Sequence, residues 1–114
     1  MPQAPEVDDV LARLAALIAA RRAAPTGSSY TKELLDAGIE RCAKKFGEES
    51  TETIIAALGS DRQALRREAA DLLYHLLVLL ECRQVALSEV LAELGGRMGT
   101  SGLAEKAARR GAPS

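Results

Sequence analysis

Glu68-Ala-Ala-Asp71-Leu-Leu-Tyr74-His75-Leu-Leu-Val-Leu-Leu80 sets two acids, two residues apart, ahead of an almost unbroken apolar run. Ala69, Ala70, Leu72, Leu73, Leu76, Leu77, Val78, Leu79 and Leu80 occupy nearly every phase of a 3.6-residue turn, so a helix here is buried almost all round. The run is interrupted by His75 and bounded by Asp71 and Glu81, far short of the ~20 residues that cross a bilayer. The stretch therefore predicts a core helix of a helical bundle, from about residue 61 to 83, in a soluble protein with no membrane partner.

The flanking sequence repeats the helical period. Val7, Val10, Leu11, Leu14, Leu17 and Ile18 predict a helix over 6–22, ended by Pro25 and Gly27. Thr31 is the expected cap of a short helix carrying Leu34 and Leu35 up to Gly38, and a longer helix follows over 39–58, with Gly47 inside it. Ser60 and Gln63 form a capping-box pattern for the apolar helix, and Ser88 is the expected cap of a last helix that Gly95-Gly96 terminates. The fold class is all-α: an antiparallel bundle of four main helices plus a short helix. Residues 1–98 form its one domain and 99–114 a flexible C-terminal tail. A bundle this small covers an all-round apolar helix poorly, which predicts a homodimer.

Composition agrees. The chain has 114 residues, enough for one core, and is 47% apolar but only 3% aromatic, which favours aliphatic helix packing over a β-sandwich. Fifteen Lys and Arg against sixteen Asp and Glu give a net charge of −1, so no basic field marks a nucleic-acid partner. No secretory signal opens the sequence, and Cys42 and Cys82 show no CxxC or His pattern. Free structural thiols in a reducing cytoplasm are expected.

Chemistry concentrates in two acidic pairs, Glu49-x-x-Glu52 and Glu68-x-x-Asp71. Members of each pair share a helix face. The turn between their helices centres near residue 60, and antiparallel helices set residues equidistant from that centre at one height. Glu52 then faces Glu68 and Glu49 faces Asp71, roughly 12 and 16 Å from the turn at 1.5 Å per residue. Lys45 and His75 fall in the next layer. Four converging carboxylates repel unless a cation neutralises them, and an all-oxygen set suits Mg²⁺, with Mn²⁺ as a substitute. A solvated acidic face is the alternative for Glu48, Glu49 and Glu52. Asp71, deep in its helix and followed by apolar residues, is expected to be buried and to need a partner: a metal, or Lys44, Lys45 or an Arg.

The string Lys45-Phe-Gly-Glu48-Glu49-Ser-Thr-Glu52, followed after fifteen residues by the stretch quoted first, resembles the phosphoribosyl-ATP pyrophosphohydrolase family. The form EExxE, then ExxD, is the signature of the all-α nucleoside triphosphate pyrophosphohydrolase superfamily, which includes MazG-like proteins. Similarity extends to Ser29-Tyr30-Thr31, Leu87-Ser88 and the stretch from Gly99 to Lys106, while Phe46 stands where the family often has a small aliphatic residue. The family domain is often fused to a cyclohydrolase, and this chain looks like the stand-alone form. The resemblance implies a dimeric bundle that hydrolyses the α–β phosphoanhydride of 1-(5-phosphoribosyl)-ATP with Mg²⁺ in histidine biosynthesis. It implies Glu49, Glu52, Glu68 and Asp71 as metal ligands, with Glu48 a further catalytic acid that ligates a second ion or orients water.

Lys45, Tyr30, Thr31, Tyr74 and His75 are the candidate substrate contacts, Lys45 foremost for phosphate. For Tyr74 and His75 the structural alternative is that they satisfy polar atoms near the core. The Gly99-Thr-Ser-Gly102 segment is a candidate phosphate cradle, or simply flexible. Two other functions stay open: a housekeeping hydrolase of canonical or damaged (d)NTPs, and a non-catalytic helical dimerisation module.

Overall fold

A computed structural model of the chain describes residues 7–98, with side chains from Val10 onward. Five helices follow one another: α1 (Val7–Arg21), α2 (Tyr30–Ala37), α3 (Ile39–Leu58), α4 (Arg62–Cys82) and α5 (Leu87–Arg97). No strand occurs among the described residues. α2 is the short member, so the expected set of four main helices and a short one is what forms. The expected tail at 99–114, including Gly99-Thr-Ser-Gly102, lies outside the described residues.

α3 and α4 make the most extensive helix pair, an antiparallel hairpin turned at Gly59, Ser60 and Asp61, with α1 and α2 against it. Ile18 from α1, Leu34 from α2, Cys42 from α3, and Leu77 and Val78 from α4 form the buried core, flanked by Leu11, Leu14, Leu35, Tyr74 and Leu80. Each such aliphatic side chain contributes about 1.5–3 kcal/mol on burial. α2 and α3 are separate helices because Gly38 joins them at φ 95°, a left-handed conformation that glycine adopts without a Cβ clash. Across the bundle, Arg22 donates to the Glu81 carboxylate at 2.8 Å and also to its carbonyl, and Lys32 donates to the Arg22 carbonyl at 2.7 Å. The α1–α2 connection is thereby tied to the end of α4.

Helix ends differ from the sequence reading at four points. Ser29, not Thr31, caps α2, its hydroxyl accepting from the Lys32 N–H at 3.0 Å. Asp61, not Ser60, caps α4 by accepting from the Gln63 and Ala64 N–H groups, and a carboxylate there also meets the positive end of the helix dipole. α5 begins after Ala86 rather than at a Ser88 cap, because the Glu89 carboxylate reaches back to accept from the Ala86 N–H at 2.8 Å. Gly95 and Gly96 fall inside its last turn, since two glycines weaken a helix without forbidding one.

α4 is not buried all round within one chain. Only His75, Leu77 and Val78 of this helix are buried, and Leu73 is 44% exposed. Five helices of this length leave one side of α4 without a neighbour. Ile54, Ile55 and Leu58 on α3 are likewise exposed. Among the described residues, no helix is long and apolar enough to cross a membrane.

Candidate metal and substrate site

The acids arise on the two longest helices, α3 and α4, which pack together most extensively. Thr53 hydroxyl bonds to the Glu49 carbonyl of its own helix at 2.7 Å and to the Glu68 carbonyl of α4 at 3.1 Å. This residue sets the register between the acidic pairs, and the sequence reading missed it. A threonine in mid-helix beside the motif was the available signal, because its hydroxyl can bond a carbonyl one turn back.

Glu49, Glu68 and Asp71 each bring one carboxylate oxygen into a group whose members all lie within 4.8 Å of one another. Glu52, expected to complete a set of four, is exposed on the next turn of α3 and stands outside that group. Burial is the reverse of the expectation. Glu49 is buried, Glu68 half-buried and Asp71 exposed, so the acid that most needs a partner is Glu49. The reason is azimuthal: Asp71 sits on the solvent edge of α4, whereas Glu49 points into the α3–α4 seam.

Burial, reinforced by Glu52 and Asp71 nearby and opposed by Lys45, pushes the Glu49 carboxyl above the usual carboxylate range. Its Oε2 is buried without a hydrogen-bond partner among the described residues, a costly arrangement for a carboxylate. An orphaned buried oxygen beside two further carboxylates fits a hard divalent cation, because Mg²⁺ and Mn²⁺ take oxygen donors.

Next to this group, His75 Nε2 lies 3.9 Å from Glu49 Oε1. Burial, followed by the Lys45 charge, holds His75 below its ordinary value against the pull of Asp71 and Glu48, so the imidazole favours its neutral form. The rings of Tyr74 and Tyr30 meet His75 edge-on, at centroid distances of 4.9 and 6.2 Å. Thr31 Oγ1 and the Tyr74 hydroxyl hydrogen-bond, joining α2 to α4. Lys45 pairs with Glu48 at 3.3 Å, not with Asp71, and this contact, with Tyr30 second, raises the Lys45 pKa. His75 therefore stands opposite Glu49 rather than in the layer expected with Lys45, whose charge still reaches it, and Tyr30 packs against its ring.

A sequence model of the phosphoribosyl-ATP pyrophosphohydrolase family matches residues 11–98, most of the chain. The chain belongs to the phosphoribosyl-ATP pyrophosphohydrolase family. Among its relatives, a protein of Dinoroseobacter shibae named phosphoribosyl-ATP pyrophosphatase is 61% identical over 100 residues, covering 88% of this chain and 98% of that protein. Proteins of the same name from Rhodobacter capsulatus and Novosphingobium aromaticivorans are 60% and 54% identical, over 87% and 91% of this chain and 96% and 97% of their own lengths. The phosphoribosyl-ATP pyrophosphohydrolase match spans both acidic motifs and every described residue of the candidate site. The sequence resemblance is thus confirmed at the level of the family.

Proposed function

We propose that this protein hydrolyses 1-(5-phosphoribosyl)-ATP to 1-(5-phosphoribosyl)-AMP and pyrophosphate, a step of histidine biosynthesis, using Mg²⁺ held by Glu49, Glu68 and Asp71. The observation that carries the reading is the unpartnered buried oxygen of Glu49 beside two further carboxylates, in a chain that aligns with 98% of the length of a relative named for this substrate. A bound divalent ion supplies polarisation of phosphoryl oxygens and a lowered pKa for attacking water. Glu52 and Glu48 extend the acidic edge on α3 and serve to orient that water or the outer side of the ion. Lys45, beyond Glu48, offers the ammonium that meets phosphate, and Tyr30, Thr31, Tyr74 and His75 form the wall that positions the rest of the nucleotide. No protein nucleophile is required.

We also propose that two copies pair through the apolar surface that α3 and α4 leave open, including Ile55, Leu58 and Leu73. All three are exposed, Leu58 at 84%, and exposed aliphatic side chains that join into one patch mark an interaction surface. We assign the protein to the cytoplasm, where nucleotide substrates and reduced thiols coexist.

Pyrophosphate release from phosphoribosyl-ATP, with and without Mg²⁺, against a panel of NTPs and dNTPs, tests the assignment. Mg²⁺-dependent turnover that prefers phosphoribosyl-ATP is expected. Faster turnover of dNTPs overturns the substrate in favour of a housekeeping hydrolase, and no metal-dependent turnover of any member leaves only a dimerisation module.

A further inference from the structure

Outside the acidic site, the two cysteines meet. Cys42 in the first turns of α3 and Cys82 at the last residue of α4 are forty positions apart, yet their sulfurs lie 3.0 Å from each other. Both are free thiols. That separation is only about 1 Å beyond the ~2.05 Å of a disulfide bond. Cys42 is fully buried in the core and donates its S–H to the Leu34 carbonyl at 3.2 Å, so its sulfur has a fixed place, while Cys82 is half-buried and nearer solvent. The pair sits at the end of the α3–α4 hairpin opposite its turn, two helical turns beyond Glu49 and His75.

We propose that Cys42 and Cys82 form a site of reversible oxidation, closed by hydroperoxides to an intramolecular disulfide that staples the open end of the α3–α4 hairpin and is reopened by thiols.

Accessibility orders the steps. Cys82 reacts first: its sulfur, after giving its proton to solvent, attacks the outer oxygen of the hydroperoxide, the O–O bond breaks, and hydroxide or alkoxide leaves as water or alcohol. The Cys82 sulfenic acid then faces Cys42 with no room for a second oxidant molecule between them. The Cys42 sulfur attacks the Cys82 sulfur, the S–O bond breaks, and the departing hydroxide takes up the Cys42 proton as water. Two thiols lose two electrons in all and one hydroperoxide gains them. Burial, then the neighbouring Cys82 thiol, pushes the Cys42 pKa up to about 12, which makes closure slow and restricts Cys42 to a partner already in contact. Because the cross-link joins residues already adjacent in the fold, it restricts the unfolded chain far more than the folded one.

The test is to expose the reduced full-length protein to hydrogen peroxide, follow intact mass and non-reducing gel mobility, and measure melting and pyrophosphate release before and after dithiothreitol. The expected product is lighter by two hydrogens, runs as a single chain, melts at least about 5 °C higher, keeps its turnover, and reverts on reduction. Cys82→Ser is expected to show no loss of hydrogens. A second variant, Cys42→Ala, is expected to hold Cys82 as a sulfenic acid that a dimedone probe captures. Oxygen atoms gained without a cross-link in the wild-type protein, a disulfide between two chains, or an unchanged mass would each overturn the proposal. None of these mass outcomes depends on which nucleotide the protein hydrolyses.

Discussion

His75 Nε2 stands 3.9 Å from Glu49 Oε1, and both side chains are buried, at 6% and 9% exposure. The imidazole is held towards neutrality and the carboxyl is pushed above its ordinary range, so neither relieves the other as a full ion pair would. Glu49 is thus held in an electrostatically unfavourable setting, which a bound cation would relieve.

Glu49→Gln should therefore stabilise the metal-free protein while abolishing Mn²⁺ binding and turnover. A carboxyl whose folded-state pKa is raised contributes most stability below its unfolded value of 4.5, and that contribution is lost as pH rises through the folded value. The variant's advantage should thus be present at pH about 8 and vanish near pH about 4. Thermal melts in EDTA across that range check it, and a variant that melts lower at pH 8 would contradict the burial argument.

Asp71→Asn separates catalysis from folding. Asp71 is exposed, so stability should stay within about 0.5 kcal/mol of wild type. Losing a ligand oxygen should nonetheless weaken Mn²⁺ binding and lower turnover at least about 100-fold. Calorimetric metal titration alongside denaturant unfolding reads both, and wild-type metal affinity in the variant would remove Asp71 from the site.

Lys45→Met should raise KM for the nucleotide about tenfold, equivalent to roughly 1.4 kcal/mol, with a smaller change in kcat. Steady-state kinetics at saturating Mg²⁺ distinguish this from a role in the chemical step, which would lower kcat instead.

Thr31→Val and Tyr74→Phe remove the two halves of one hydrogen bond between α2 and α4. Each should cost about 1 kcal/mol, and the double variant little more than either single. Additive losses in urea unfolding would show that the two hydroxyls act separately.

Ile55→Glu and Leu58→Glu place charge on the exposed apolar surface. Sedimentation should find dimer for the wild type and a shift to monomer for both variants at micromolar concentration. A wild-type monomer at that concentration would refute the pairing.

Helix periodicity made α1, α3 and α4 legible to within a residue or two, because apolar spacing reports the buried face directly. The height of each acid along the hairpin was legible too, but not its rotation about the helix axis. Hence Asp71 was expected inside, where Glu49 lies. The register drifted for a related reason. Thr53 and Glu68 meet about a centre between Ser60 and Asp61, close to the expected one. The Glu49–His75 and Cys42–Cys82 contacts, farther from the turn, are centred on Arg62. Side chains lean towards the N-terminus of their own helix, away from the turn on α3 and towards it on α4, so α4 partners lie farther along than Cα heights alone suggest. Corrected for that lean, the same arithmetic brings the two cysteines together, where the absence of a CxxC motif had suggested two unrelated thiols. The caps of α2 and α4 were misread because Ser, Thr and Asp compete at adjacent positions, and backbone geometry rather than residue type selects the winner.

The Thr53 hydroxyl shares its one proton between the carbonyls of Glu49 and Glu68, the residues that present two of the three gathered carboxylates. That contact holds the two main chains together at the level of the acids, while the side-chain torsions of Glu49 and Glu68 set where their carboxylates lie. A divalent ion gathered by those carboxylates would thus meet two helices whose spacing a main-chain contact already holds.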